Sequence, residues 1–397
     1  MGARRFRDPG VLLLSLTRDG RMVNPLAFDA LEERLPRATD CFLFCHGWLV
    51  GPAEARAGAE RFFSHVDGAL RPLGDGVAPL RVAVHWPSKP FAEPEAGSRS
   101  AKDELSPALL GSLRELAHTR PGLIERLIAP LCEAEVPLGP EEEIELDALV
   151  RQVRDGAHRG ASTLSPLYAL SFWLMKRRAG QVGERLGRER LAPMFTSLGD
   201  TAPRLHLIGH SFGAKLVASA VLGGLRPASL VLLQAAFSAF AFAEEVPSMK
   251  RPGFYHRMLA ERLVAGPIVA LRSDHDRALG TLYPAATWGT QVDRAAPNAG
   301  RLRQVREVIA RSALGAVGVR GVGAPELDLL DAQMSGLPRC VVTIDGSRVV
   351  TKHEWLIGAH CDIYHDEIAT LVLLAAGLLT GGPAGARPRL VPPFPNS

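Results

Sequence analysis

One short segment combines residue types and spacing that permit covalent chemistry: Arg204-Leu205-His206-Leu207-Ile208-Gly209-His210-Ser211-Phe212-Gly213-Ala214-Lys215-Leu216-Val217. An apolar run that reads as a buried strand is followed at once by Gly-x-Ser-x-Gly, and then by the small residues of a helix start. A serine on so sharp a strand-to-helix turn is held in a strained backbone conformation, with its hydroxyl lifted clear of the sheet. Side chains two residues to either side would meet the neighbouring strand or helix, so glycine fits at 209 and 213. The helix N-terminus offers unpaired N–H groups and a partial positive charge to an oxygen that gains negative charge. The chemistry this suits is attack by an activated hydroxyl. The pentapeptide alone is a weak signal, and the strand before it and the helix after it give it weight.

In these residues the sequence resembles the α/β-hydrolase superfamily, over about residues 11–380. It is similar in particular to uncharacterised bacterial serine esterase or lipase-like members, which carry a His-Gly-Trp loop (here 46–48) and a Trp-Pro-Ser segment (86–88) after a strand. The resemblance implies hydrolysis of a carboxylic ester through an acyl-enzyme on Ser211. It also implies a chain order of serine, then acid, then histidine. The next acid-rich loop after a strand is Ile268-Val269-Ala270-Leu271-Arg272-Ser273-Asp274-His275-Asp276. The family spacing, a small residue and two variable ones before the acid, favours Asp276, with Asp274 as the alternative. The histidine belongs between the last strand and the final helix, where Gly358-Ala359-His360-Cys361-Asp362-Ile363 lies. His353, near an expected hairpin, and His365, at the helix start, compete with His360 but read better as surface or cap residues. A metal reading of His360, Cys361, Asp362 and His365 lacks a second ligand pair at zinc spacing.

The roles follow from chemistry. A neutral imidazole can take the serine proton near pH 7 and return it to the leaving group. The aspartate fixes the tautomer and stabilises the imidazolium. An oxyanion needs two N–H donors. One is the backbone of Phe212, and the resemblance points to the backbone of Trp48 for the other, with Gly47 allowing close approach. No cofactor and no metal are called for, and the expected partner is a small-molecule or lipid-like acyl ester. An acyltransferase or thioesterase would use the same triad, and a non-catalytic binding protein could share the fold. A membrane-surface lipase is a further reading, because Phe237, Phe240 and Phe242 sit among alanines in a stretch that could form a lid or simply pack in the core.

The elements that must position these residues read as α/β, with a mainly parallel sheet covered by helices on both faces. Strands are expected at Val11–Leu16, Cys41–Cys45, Leu80–His85, Leu205–Ile208, Leu230–Gln234, Ile268–Leu271 and Val341–Ile344, several of them continuous apolar runs. Helices are expected at Ala53–Leu70, Ser171–Leu186, Ala214–Leu222 and Asp366–Leu379. Residues 90–165 read as a helical insertion and 235–262 as a lid segment, both at the edge where open α/β sheets bind ligands. Lys176-Arg177-Arg178 reads as a solvated helix face. One domain over 1–380 and a disordered Pro/Gly-rich tail over 381–397 complete the layout.

Bulk properties agree. With 47% apolar and 22% charged residues, the chain has the composition of a globular protein. A net charge of +4 is too mild for a nucleic-acid binder. Arginine dominates the cations and lysine occurs only at 89, 102, 176, 215, 250 and 352, a bias that suggests a GC-rich bacterial genome. No apolar run approaches the roughly 18 residues of a membrane span. The short run after Arg4, Arg5 and Arg7 reads as a strand turning at Asp19-Gly20, not as a signal peptide. Five cysteines without metal-type pairing make a reducing cytoplasm the default expectation.

Overall fold

The structure is a computed structural model and describes residues 10–89, 141, 144, 165–247, 249–283, 312–354, 357–380 and 389–390. Its centre is one eight-stranded, all-parallel sheet: β1 (Leu12–Ser15), β2 (Asp40–Cys45), β3 (Pro79–His85), β4 (Arg204–His210), β5 (Ser229–Leu233), β6 (Ile268–Arg272), β7 (Glu326–Asp328) and β8 (Val341–Asp345), in the spatial order β1-β3-β2-β4-β5-β6-β8-β7. The apolar runs of the sequence form strands because both faces are covered. Along β2, Cys41, Leu43 and Cys45 enter one core while Phe42 and Phe44 enter the other, and along β5 Leu230 and Leu232 oppose Val231 and Leu233. The first core is closed by α1 (Pro25–Arg34), α3 (Ser165–Leu186) and α4 (Phe212–Leu222). The second is closed by α2 (Pro52–Leu70), α5 (Leu329–Ser335) and α6 (Asp366–Ala375).

The strand order reverses its direction of growth between β2 and β4, and their following helices leave to opposite faces: α2 to the second core, α4 to the first. The loops after these two strands therefore diverge and open a crevice at the carboxyl ends of the sheet, the place where such sheets bind ligands. The His46-Gly47-Trp48 loop and the Ser211 turn flank it.

All seven expected strands are present, and Asp19-Gly20 is a turn that lets Leu16 bridge antiparallel to Met22. Helix α1 and the β7–α5 pair went unanticipated, the strand being only three residues long. The last helix stops at Ala375 rather than Leu379, because the chain reverses at Gly377 with φ +67°. Leu379–Thr380 then pairs antiparallel with Arg389–Leu390, the two tail residues that are described. The other tail residues lie outside the described residues, as does the 90–165 insertion apart from helical Glu141 and Ile144. The reading of Lys176-Arg177-Arg178 as a solvated face is also corrected. Lys176 is fully buried with its Nζ 2.6 Å from the Tyr283 hydroxyl, and Arg178 is buried and donates to the Pro87 carbonyl at 2.7 Å. The Ala235–Phe242 stretch takes the core alternative. Phe237 and Phe242 are fully buried against Tyr255, and from this stretch only Ala236 reaches the crevice.

Candidate active site

Ser211 caps α4 with φ +56° and ψ −122°, a conformation that costs a residue other than glycine about 1–3 kcal/mol. Backbone bonds on both sides hold it there: its N–H donates to the Leu233 carbonyl at 3.0 Å, and its carbonyl accepts from Ala214 at 3.1 Å and Ala236 at 3.2 Å. The flanking glycines are sterically required. A Cβ at 209 would lie 2.4 Å from the Ala214 Cα, and one at 213 would lie 2.2 Å from the Cys45 carbonyl oxygen.

The acid loop follows β6. Asp276 is buried, and its Oδ1 accepts from the Leu279 N–H at 2.9 Å. Its Oδ2 accepts from Gln234 Nε2 at 3.0 Å and from His360 Nδ1 at 2.7 Å. Asp274 points elsewhere: it is paired with Arg272 at 2.6 Å and its side chain is 68% exposed. Between the two aspartates of the sequence, the geometry brings Asp276 to the histidine. His360 is carried by a loop tied to the acid loop by an Asp276–Gly358 bridge and by the Ala359 N–H donating to the His275 carbonyl at 2.9 Å. With a carboxylate at Nδ1 the ring carries its proton there, leaving Nε2 to accept from the Ser211 hydroxyl at 2.9 Å. Residues 65 and 84 positions apart in sequence thus meet within hydrogen-bond reach. His353 is exposed and packs edge-on to His275, and His365 sits at the N-cap of α6, 2.8 Å from Asp362.

The loop after β2 closes the other side. Gly47 lies so near the serine that a Cβ would come within 2.9 Å of the Ser211 Cβ. His46 is buried, its Nδ1 donating to the Gly47 carbonyl at 2.8 Å, and burial pushes its pKa down to about 3, so it is neutral. The strand end at His85-Trp86-Pro87-Ser88, whose Trp-Pro-Ser carries part of the family resemblance, clasps this loop. The Trp86 indole N–H donates to the His46 carbonyl at 3.0 Å, and Ser88 Oγ accepts from the Val50 N–H at 3.0 Å. Trp48 packs its ring edge-on to Phe172 and against Phe212.

A cavity of about 340 Å³ opens over Ser211 and His360, within the usual range for small-molecule pockets. Trp48, Phe172, Phe212, Leu279 and Ile357 supply its apolar wall, and Glu54, Arg61, Lys352 and Glu354 also line it. Gln234, buried behind the acid, went unnoticed in the sequence because nothing in its type or neighbours marks a glutamine at a strand end. Among the described residues no group of three or more His, Cys, Asp or Glu is placed to hold a metal ion, and no helix is long and apolar enough to cross a membrane. Compared with protein families, with curated proteins and with solved structures, the chain matches none.

Proposed function

We propose that this chain is a serine hydrolase on an α/β-hydrolase-type fold, cleaving a carboxylic ester through an acyl-enzyme on Ser211. The observation that carries the reading is the continuous array Ser211 Oγ–His360 Nε2 (2.9 Å) and His360 Nδ1–Asp276 Oδ2 (2.7 Å), assembled from three separate loops at the floor of an open cavity. In this reading His360 takes the hydroxyl proton as Ser211 Oγ attacks the acyl carbon, and Asp276 stabilises the imidazolium formed. The carbonyl oxygen becomes an oxyanion held by the N–H groups of Phe212 and Trp48. Phe212 is the first residue of α4, and Trp48 follows the glycine that touches Ser211. His360 then protonates the departing alkoxide. Water, deprotonated by the same ring, releases the acid and restores the serine. The apolar wall suits the acyl or alcohol part of a small ester, and no cofactor enters any step.

A serine nucleophile also favours acyl chemistry over the carboxylate-nucleophile reactions of epoxide or haloalkane hydrolysis. The test is a fluorophosphonate probe together with a panel of p-nitrophenyl esters. The native protein is expected to be labelled and to turn over at least one ester, and Ser211→Ala to do neither. A native protein that neither reacts with the probe nor cleaves any ester overturns the reading.

A further inference from the structure

We propose that Gln234 is a positioning residue that holds the acid and histidine loops in catalytic register, an inference that rests on the triad reading above. Its side chain is fully buried at the end of β5, and one amide nitrogen makes two bonds: to Asp276 Oδ2 at 3.0 Å and to the carbonyl of Ala359, the residue before His360, at 3.1 Å. A single NH₂ group therefore joins the acid to the loop that carries the base, using both of its protons.

Two costs indicate that packing is not the reason for a glutamine here. Its backbone sits at φ +45°, and its Oε1 has no hydrogen-bond partner among the described residues although it is buried. An orphaned buried acceptor is destabilising, and an apolar residue of similar shape would avoid it. The amide cannot turn round, because Asp276 Oδ2 and the Ala359 carbonyl are both acceptors. What the position needs is a paired donor.

The donation has a chemical consequence. Asp276 Oδ2 accepts from Gln234 and His360 at once, so the glutamine withdraws charge from the oxygen that stabilises the imidazolium. Without it that oxygen attracts the His360 proton more strongly, and the ring keeps its proton to higher pH. The other titratable groups about His360 are His210, whose Nε2 lies 2.7 Å from the His360 carbonyl, Cys361 and Asp362 beside it in the chain, and His46, Glu54, Arg61, Lys352, Glu354 and Tyr364 around the same cavity; substitution at 234 alters none of them.

The experiment compares Gln234→Met with the native protein by ester kinetics across pH. Expected is a kcat lower by about 10- to 100-fold, as for small losses of catalytic alignment, with KM changed less than about twofold because no substrate contact is lost. The acid limb of kcat/KM should move to higher pH. A folded Gln234→Met with native kcat and an unmoved acid limb overturns the proposal. If that variant does not fold, Gln234→Glu carries the test, since its carboxyl can donate only while protonated. Its activity should then fall with rising pH where the native protein does not, and a native-like profile overturns the proposal. Failure of the triad reading itself looks different, because the native protein would then lack both labelling and turnover.

Discussion

Among the described residues the sheet carries two serine–histidine–aspartate arrays, one at each end of its strands, with β4 common to both. At the carboxyl end Ser211, His360 and Asp276 meet beneath an open cavity. At the amino end His206 Nδ1 lies 2.9 Å from Ser229 Oγ, and His206 Nε2 lies 3.0 Å from Asp40 Oδ1. The two are wired alike, with the imidazole reversed. Only their surroundings differ. Ser229 begins a regular strand, and Ser229, His206 and Asp40 are each at most 1% exposed. His206 is stacked on Phe42, and Asp40 also binds Arg204 at 2.7 Å and Thr39 at 2.7 Å. Ser211 is strained, borders a cavity and faces the Gly47-Trp48 loop. If the proposed function holds, residue types and hydrogen-bond order alone are insufficient to make a hydrolytic site. Under the proposed function, access and a strained nucleophile, together with N–H groups at the developing charge, are what would separate a catalyst from a strand-to-strand tie.

The largest effect expected of this contrast is on turnover. Ser211→Ala should lower kcat/KM for the best ester by about 10⁴-fold or more, whereas Ser229→Ala should leave it within about twofold. Steady-state kinetics on the two purified variants decides this. Comparable losses in both would mean that the buried array takes part in the chemistry.

Next comes the response to acid. Burial pushes the pKa of His46 down to about 3, and burial also lowers that of His206 although Asp40 opposes it. Each folded-state value lies below the ordinary value of about 6.5, so the unfolded chain binds protons that the native protein refuses. Stability from both groups is complete above about pH 6.5 and is lost as pH falls toward the folded values. For His46 the loss is of the order of 4 kcal/mol between about pH 6.5 and 3. Urea unfolding at half-unit pH steps should show this decline before most carboxylates titrate, and a flat profile from pH 7 to 5 would refute it.

These ends of the sheet were unequally legible in the sequence. The strands could be read because burial on both faces makes them apolar runs, and the Gly-x-Ser-x-Gly turn because strand, turn and helix follow one another directly, although Gly213 answers to the Cys45 carbonyl of a distant strand. The His360 loop was placed by the family resemblance, which puts the histidine between the last strand and the final helix. Choosing Asp276 over Asp274 depended on a family resemblance, since two carboxylates two residues apart differ in sequence only by the turn that aims them. Asp40, His206 and Ser229 were invisible as a group. They become neighbours only through the β2–β4–β5 register, which no local pattern encodes. Lys176 misled for the same reason: its charged neighbours suggested an exposed face, while Tyr283, 107 residues on, receives its Nζ.

A smaller effect should come from the carboxylate of the buried array. Burial pushes the Asp40 carboxyl up, but the His206 hydrogen bond and the Arg204 guanidinium outweigh burial and hold its pKa below the usual carboxylate value. Asp40→Ala removes the partner of both groups and should cost about 3 kcal/mol of unfolding free energy. The kcat of the folded protein should stay within about twofold, because among the described residues no hydrogen bond from this array reaches the carboxyl end of the sheet. A parallel loss of kcat in fully folded Asp40→Ala would show that the two arrays are coupled.

The smallest effect separates the two serines most directly. Ser229→Ala leaves a buried His206 nitrogen without its hydroxyl, and such an orphan costs about 1–2 kcal/mol. Ser211→Ala also removes a hydroxyl from a histidine, but His360 borders the cavity and water can replace the lost bond. Its unfolding free energy should therefore stay within about 0.5 kcal/mol of native. The two alanine variants should invert each other, one losing activity and keeping stability, the other the reverse. Paired urea titrations and ester assays read both axes. A Ser211→Ala variant destabilised as much as Ser229→Ala would mean that the hydroxyl beneath the cavity is also a structural tie.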